Sequence, residues 1–347
     1  MTNQVRNGIL FVCESIGSLN IASRIVRNYN FRCPVYLFVI EKLLENNQEI
    51  IENFGFYTTD PHTLPGLMQK IKLVLLGAHE SSPHCRISNA IGFLAKQTGT
   101  AHASLQHGWI QPGLNFWTNI KNIDYRGFNT DNSRSLFHFS KILKFFGATG
   151  IGYPQPLNKP PIASGTIEKI IIATNFNWGV YHQQEIKTFI ESTHSVRSNF
   201  PNSLIVHRPH PAEKNPQIQD AWDETYKNCK IQSIAECEDS RDLLWPSLVI
   251  STPSTIALDY ICLGIPTILY APEKFQRHIN DFSLEGISYN NPIELQALLD
   301  RIPDIRRAAI PKFPTDIFEH TLLELYRENQ QYNLSEDTFF TYCERIK

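Results

Sequence analysis

The run Ile250-Ser251-Thr252-Pro253-Ser254-Thr255-Ile256-Ala257-Leu258-Asp259-Tyr260, with Gly264-Ile265-Pro266-Thr267-Ile268-Leu269-Tyr270 after it, holds a complete strand–turn–helix–strand unit. A short apolar run enters a hydroxyl-rich turn, a helix-like pattern follows, and Gly264 precedes a second apolar run. Strands that are apolar throughout belong in a parallel sheet covered by helices on both faces. Working outward, apolar runs of this kind lie at Ile9–Val12, Val35–Ile40, Leu73–Leu76, Ile170–Ala173, Ser203–His207, Leu248–Ser251 and Thr267–Tyr270. Each leads through a polar or Gly-containing turn into a longer helix-like pattern. That alternation predicts an α/β chain of parallel sheets with crossover helices.

A chain of 347 residues is comfortable for two α/β domains. Between residues 147 and 166 the composition shifts to Gly147, Gly150, Gly152, Pro154, Pro156, Pro160, Pro161 and Gly165, which cannot continue a helix or a central strand. This stretch is the expected interdomain linker. Glu168-Lys169-Ile170-Ile171-Ile172-Ala173-Thr174-Asn175 then reads as a fresh first strand. The expectation is two Rossmann-like domains, 1–150 and 151–347, facing each other across a cleft. The second ends in helix-like sequence over Asp316–Glu328.

Composition excludes several classes. With 42% hydrophobic and 19% charged residues the chain has the makings of a substantial core and is not a disordered one. The net charge is -2 and there is no long Lys/Arg run, so a phosphate-neutralising surface for nucleic acid is not expected. The longest apolar runs fall far short of the roughly 20 residues that span a bilayer. The N-terminal residues lack the basic start and long apolar core of a signal peptide, which predicts a cytoplasmic protein. The seven cysteines are scattered without CxxC or Cys/His spacing, so they are expected to be reduced and mostly structural.

In open α/β sheets ligands sit at the C-terminal ends of strands, so polar residues directly after apolar runs matter most. Gln106-His107-Gly108-Trp109, followed by Gln111-Pro112-Gly113, offers a His beside a Gly, fit for a general base or a donor, or simply a buried His satisfied by backbone. Val206-His207-Arg208-Pro209-His210-Pro211 reads as a stiff cationic loop able to hold a phosphate, because Arg supplies a planar fork and the prolines limit the entropy lost. The turn Ser251-Thr252-Pro253-Ser254-Thr255 reads equally as a phosphate site and as a plain N-cap. Two further strand ends carry polar residues. Cys13-Glu14-Ser15-Ile16-Gly17-Ser18 lacks a GxGxxG fingerprint, and His79-Glu80-Ser81-Ser82 offers Glu80 as a base. Trp109, Trp117 and Trp178 suit sugar stacking.

Taken in order, Gln106-His107-Gly108, Arg208-Pro209-His210-Pro211 and Ser251-Thr252-Pro253-Ser254-Thr255 with Asp259-Tyr260 resemble bacterial surface-polysaccharide transferases. These are the CDP-glycerol glycerophosphotransferases, the capsule Kdo transferases and, more distantly, the polysialyltransferases. Thr174-Asn175-Phe176 looks like the opening of the C-terminal domain in surface carbohydrate biosynthesis proteins. The resemblance implies the two-Rossmann GT-B fold, with 1–150 on the acceptor side and 151–347 holding the nucleotide donor. It assigns His210, Pro211, Ser254 and Thr255 to the donor nucleotide and its phosphate, and the reading of the same two loops adds Arg208 and Ser251 to them. His107 or Glu80 becomes the catalytic base, and Ser15, Gln106, Gly108 and Trp109 fall on the acceptor side. The acidic-acidic-Gly triplet of the sialyltransferases is missing from the N-terminal half, which lowers the prospect of sialic acid transfer.

The activity implied is transfer of a cytidylate-activated, Kdo-like sugar to a growing capsule, O-antigen or lipopolysaccharide glycan, at the inner membrane where the acceptor is lipid-linked. CMP or CDP would enter with the substrate; no cofactor and no metal is expected, because GT-B enzymes stabilise the leaving phosphate with side chains and helix dipoles. Three alternatives stand beside it: a CDP-glycerol-type transferase, a non-hydrolysing sugar-nucleotide epimerase that needs no separate acceptor, and a non-catalytic sugar-nucleotide-binding partner.

Overall fold

The computed structural model describes residues 6–28, 31–77, 86–106, 108–109, 134–138, 148–150, 153–154, 156, 166–177, 180–211, 213–234, 245–280 and 282–305. His107, Glu80, Gln111-Pro112-Gly113, Trp117, Trp178 and the segment Asp316–Glu328 lie outside them. The chain divides into a first compact unit that includes Met1–Gln155 and a second over Pro156–Pro311. The division falls inside the Gly/Pro-rich stretch. Among the described residues no helix is long and apolar enough to cross a membrane.

The first unit carries strands β1 (Gly8–Cys13), β2 (Val35–Val39), β3 (Phe56–Thr58), β4 (Ile71–Leu76), β5 (Ala101–Leu105), β6 (Arg134–His138) and β7 (Ala148–Gly150). They form one parallel sheet in the order β3-β2-β1-β4-β5-β6-β7. Helices α1 (Ile16–Asn28), α2 (Gln48–Ile51), α3 (Leu64–Met68) and α4 (Arg86–Gln97) alternate with the early strands. Every residue of β1 is buried, as its unbroken apolar sequence requires of a central parallel strand. Leu10 and Val12 pack with Phe38, Val74 and Leu76 and with Leu67, Met68, Ile91 and Leu94 of α3 and α4. Phe11, alternating to the opposite face, meets Phe54 edge-on at 5.8 Å. Each such side chain contributes roughly 1.5–3 kcal/mol through burial. Gly150 lies in β7, the edge strand, where a weak strand former is tolerated.

The second unit repeats the plan. Strands β8 (Lys169–Thr174), β9 (Leu204–Pro209), β10 (Gln232–Ser233), β11 (Leu248–Ser251), β12 (Thr267–Tyr270) and β13 (Ser288–Tyr289) form a parallel sheet in the order β10-β9-β8-β11-β12-β13. Helices α5 (Gln183–Asn199), α6 (Pro216–Cys229), α7 (Thr255–Cys262), α8 (Gln276–Asn280), α9 (Pro292–Leu299) and α10 (Ile302–Ile305) accompany it. Ile171, Ala173, Val206 and Val249 pack against Tyr260 and Ile265 on one face. Elsewhere in the unit Phe189 of α5 meets Trp222 of α6 at 6.3 Å and Tyr270 of β12 at 5.3 Å. Helix α7 stops at Gly264, whose φ of +73° is a conformation that favours glycine. Both sheets are therefore Rossmann-like. Each chain segment runs outward from its first strand, then returns past it, leaving a topological switch point between β1 and β4 and another between β8 and β11.

The first switch point is closed tightly by Gly77. Its amide donates to the Val12 carbonyl at 2.8 Å, and an added Cβ would lie 2.5 Å from Ser18 Cβ and 2.8 Å from that carbonyl oxygen. Gly77→Ala is expected to destabilise the protein by about 1–3 kcal/mol in urea unfolding. Gly66→Ala, where a Cβ meets nothing within 4 Å, should leave the midpoint unchanged or raise it.

Candidate functional site

The second switch point is built from the ends of β8 and β11. Where two neighbouring parallel strands send their connections in opposite directions, the loops part and leave a crevice lined by strand ends and helix N-termini. Two hydrogen bonds tie the loops at the base of that gap: the Thr252 amide donates to the Ala173 carbonyl at 3.1 Å, and the Asn175 amide donates to Thr252 Oγ1 at 3.0 Å. Beyond Thr252 the chain passes through Pro253 to Ser254, which occupies the N-cap position of α7. The Ser254 side chain makes no capping hydrogen bond, and its hydroxyl lies 3.4 Å from that of Ser251. Ser251 is fully buried and donates to the Thr252 carbonyl at 2.7 Å. Ser254 thus starts the helix, as the N-cap reading expects, without a side-chain capping bond.

On the other side of β8, strand β9 extends through Pro209, so His207 and Arg208 are strand residues and not loop residues. His207 is buried and stacks on Trp222, with ring centroids 3.8 Å apart. Burial pushes its pKa down to about 3, so the ring is neutral. Its Nε2 lies 2.9 Å from Thr174 Oγ1 and its Nδ1 2.7 Å from the Tyr226 hydroxyl. Thr174 Oγ1 also reaches both carboxylate oxygens of Glu213, at 3.2 and 3.1 Å. A carboxylate only accepts, so the Thr174 hydroxyl donates to Glu213 and receives from His207 Nε2–H, leaving Nδ1 to accept from Tyr226. Glu213 further accepts from the Phe176 amide at 3.0 Å, pinning the loop after β8. Burial raises the Glu213 pKa, against hydrogen bonds that lower it.

Arg208 and His210 stand at the rim of the same crevice, both partly exposed, with Pro211 exposed beyond them. Burial raises the Tyr260 pKa, and the Arg208 charge at the end of β9 works against that rise. The His210 pKa is lowered by burial first and by the Arg208 charge second. The segment is thus less cationic than its sequence predicts: one guanidinium and two histidines held toward the neutral form. Thr255 opens α7 directly beneath the turn. The structure accordingly brings Arg208, His210, Ser251, Ser254 and Thr255 to the strand ends of one sheet. Asn175, from the quoted Thr174-Asn175-Phe176 segment, joins them, as do Asn177, Tyr181 and Glu213, which were not singled out by sequence. Tyr181 is buried, lies edge-on to Phe176 at 5.1 Å, and has Lys274, ion-paired to Glu185 at 2.6 Å, 5.5 Å above its ring.

In the first unit the corresponding residues are engaged with each other. Ser15 and Ser18 form a reciprocal box at the start of α1, each amide donating to the other's hydroxyl at 3.1 Å. Glu14, at the end of β1, accepts from the Ile87 amide at 3.2 Å, the Ser88 amide at 2.8 Å and the Ser88 hydroxyl, which caps α4 from another strand. Gln106 is fully buried, and its Nε2 donates to the carbonyls of Gly108 at 2.7 Å and Trp109 at 3.1 Å. Trp109 is itself fully buried. Among the described residues no group of His, Cys, Asp and Glu is placed to hold a metal ion.

Two parallel, Rossmann-like sheets in one chain define the GT-B class of fold. Among solved structures the chain is similar to S. aureus MnaA with UDP, at a TM-score of 0.57 and 9% identity over 94% of this chain and 99% of that one. It is similar to the UDP-GlcNAc 2-epimerase of Methanocaldococcus jannaschii in complex with UDP-GlcNAc and UDP, at 0.57 and 13% over 92% and 99%. The UDP-GlcNAc 2-epimerase of Neisseria meningitidis bound to UDP-GlcNAc gives 0.54 and 13% over 91% and 99%. At these identities the likeness is one of fold. No protein-family model matches the chain, and no curated protein matches it in sequence.

The buried neutral His207 sets an acid limit. A histidine whose folded pKa is depressed costs nothing above its unfolded value of about 6.5; as pH falls toward 3 the unfolded chain takes up a proton that the folded chain refuses, and stability is lost. The raised carboxyls of Glu14 and Glu213 act in the opposite sense at lower pH. Comparison with His207→Gln isolates the histidine: the wild type's advantage in urea unfolding at about pH 7.5 should narrow by about 2 kcal/mol at about pH 5.

Proposed function

We propose that the chain is a sugar-nucleotide-processing enzyme that holds the nucleotide diphosphate of its substrate at the β8/β11 switch point of the second unit. The observation that carries this reading is the convergence there of Arg208, His210, Ser254 and the first turn of α7. An arginine fork, a neutral imidazole, a hydroxyl not used for capping and helix amides together match phosphate oxygens in geometry and charge. The reaction we favour is epimerisation of the sugar, because structures sharing this fold across both units include UDP-GlcNAc 2-epimerases holding UDP-GlcNAc. Such a reaction needs no acceptor, and no metal or cofactor is assigned to it.

A second reading, transfer of a cytidylate-activated sugar to a surface glycan, is favoured by the ordered Gln106-His107-Gly108, Arg208-Pro209-His210-Pro211 and Ser251–Thr255 motifs. In it the donor site is unchanged, and His107 or Glu80 deprotonates the acceptor. The two readings part on the nucleobase and on the need for an acceptor.

Calorimetric titration with UDP, CDP, CMP and GDP is expected to show selective uridylate binding, weakened about tenfold or more in Arg208→Ala. UDP-GlcNAc incubated with the protein in D2O, with no acceptor, should gain deuterium and an epimer by NMR. Selective cytidylate binding without such exchange would instead establish the transferase, in which His107→Ala should lower turnover by about 100-fold. Binding of none of the four would refute both.

A further inference from the structure

Asn177 follows β8 and is buried, with 7% of its surface exposed. Its Nδ2 lies 2.9 Å from Asn175 Oδ1 and 2.9 Å from His210 Nδ1. An amide nitrogen has two hydrogens and no lone pair to offer, and the Asn175 carbonyl oxygen fixes which end of the Asn177 amide faces this way. His210 Nδ1 must therefore be the acceptor of the second hydrogen. The ring's own proton then sits on Nε2.

We propose that Asn177 is a positioning residue that holds His210 as the neutral Nε2–H tautomer, making it a hydrogen-bond donor toward a bound phosphate and denying it the role of proton acceptor at Nε2. The inference rests on the nucleotide-binding reading for its use, but the tautomer itself is a property of the free protein. Its setting is consistent. Burial disfavours a positive charge on the ring, and the Arg208 charge acts in the same direction. The backbone on both sides is fixed: the His210 amide donates to the Thr174 carbonyl at 2.9 Å, and the Glu213 amide donates to the His210 carbonyl at 2.8 Å. These bonds hold the His210 backbone against the end of β8. A neutral donor suits a diphosphate because it adds a hydrogen bond whose strength does not depend on taking up a proton first. It also assigns any base in the reaction to another residue.

The test is long-range 1H–15N correlation of the full chain labelled at histidine, at about pH 7.5, with His210→Gln identifying the signal. The expected wild-type pattern is a protonated Nε2 and an unprotonated Nδ1. Asn177→Asp, whose carboxylate accepts where the amide donated, should move a proton onto Nδ1 and weaken UDP or CDP binding by about tenfold. A wild-type ring protonated at Nδ1, or a pattern unchanged in Asn177→Asp, would overturn the assignment. If the tautomer is as expected but no nucleotide binds, the positioning stands and the nucleotide reading fails.

Discussion

The second unit depends on a stitch across its own topological break. Strands β8 and β11 are neighbours whose connections leave in opposite directions, so nothing in the sheet ladder holds their loops together past Thr174 and Ser251. Thr252 supplies what the ladder lacks: its amide reaches back to the Ala173 carbonyl and its hydroxyl accepts from the Asn175 amide. With those backbone groups satisfied, the residues beyond them are free to project polar side chains instead of completing main-chain hydrogen bonds. Asn177 and Ser254 owe their placement to that division of labour between backbone and side chain.

A second layer fixes the loop after β8 from the opposite side. The order Tyr226, His207, Thr174, Glu213 runs as one directed chain of hydrogen bonds, because an acceptor-only carboxylate at its end dictates the direction of every proton before it. Trp222 lies flat on the His207 ring, so the imidazole is sealed from water and stays neutral. Glu213 in turn receives the Phe176 amide. The loop that carries Asn175 and Asn177 is thus held by β11 at one end and by the turn after β9 at the other, an arrangement that favours preorganisation for a ligand over adjustment to one.

Sequence was most informative where a strand is buried on both faces. Ile9–Val12, Leu73–Leu76, Ile170–Ala173, Leu248–Ser251 and Thr267–Tyr270 are apolar but for a terminal Ser251 and Thr267, and each lies within a strand of the structure. Ala101–Leu105 escaped because two of its buried positions are His102 and Ser104, polar residues that break the apolar run. Phe56–Thr58 escaped because an edge strand of three residues, with Phe56 and Tyr57 exposed, has no run to detect. At the site, residues already sitting in a motif were legible: Arg208, His210 and the Ser251–Thr255 turn. Glu213 and Asn177 were not, since a single acidic or amide residue in a loop carries no signal until folding delivers it to a partner more than 30 residues away. His207 was legible as a histidine but not as a neutral one, because its charge state is set by Trp222 and by burial.

The two units share a strand order yet treat their switch points differently, and the difference bears on which one holds the charged part of a substrate. In the first, Glu14 is spent on the amides of α4, Ser15 and Ser18 satisfy each other, and Gly77 closes the gap so tightly that a methyl group has no room. In the second, the equivalent turn leaves Ser254 without a side-chain capping bond, and the adjacent strand end contributes a guanidinium and an imidazole, while the Glu213 carboxylate is held by Thr174 and the Phe176 amide. An anion approaching Glu14 would meet a like charge already bound to the donors it needs; one approaching α7 would meet donors and a positive charge. The same strand order around the two switch points therefore gives opposite electrostatic outcomes at the two strand ends, which supports the proposed placement of the nucleotide phosphates on the second unit.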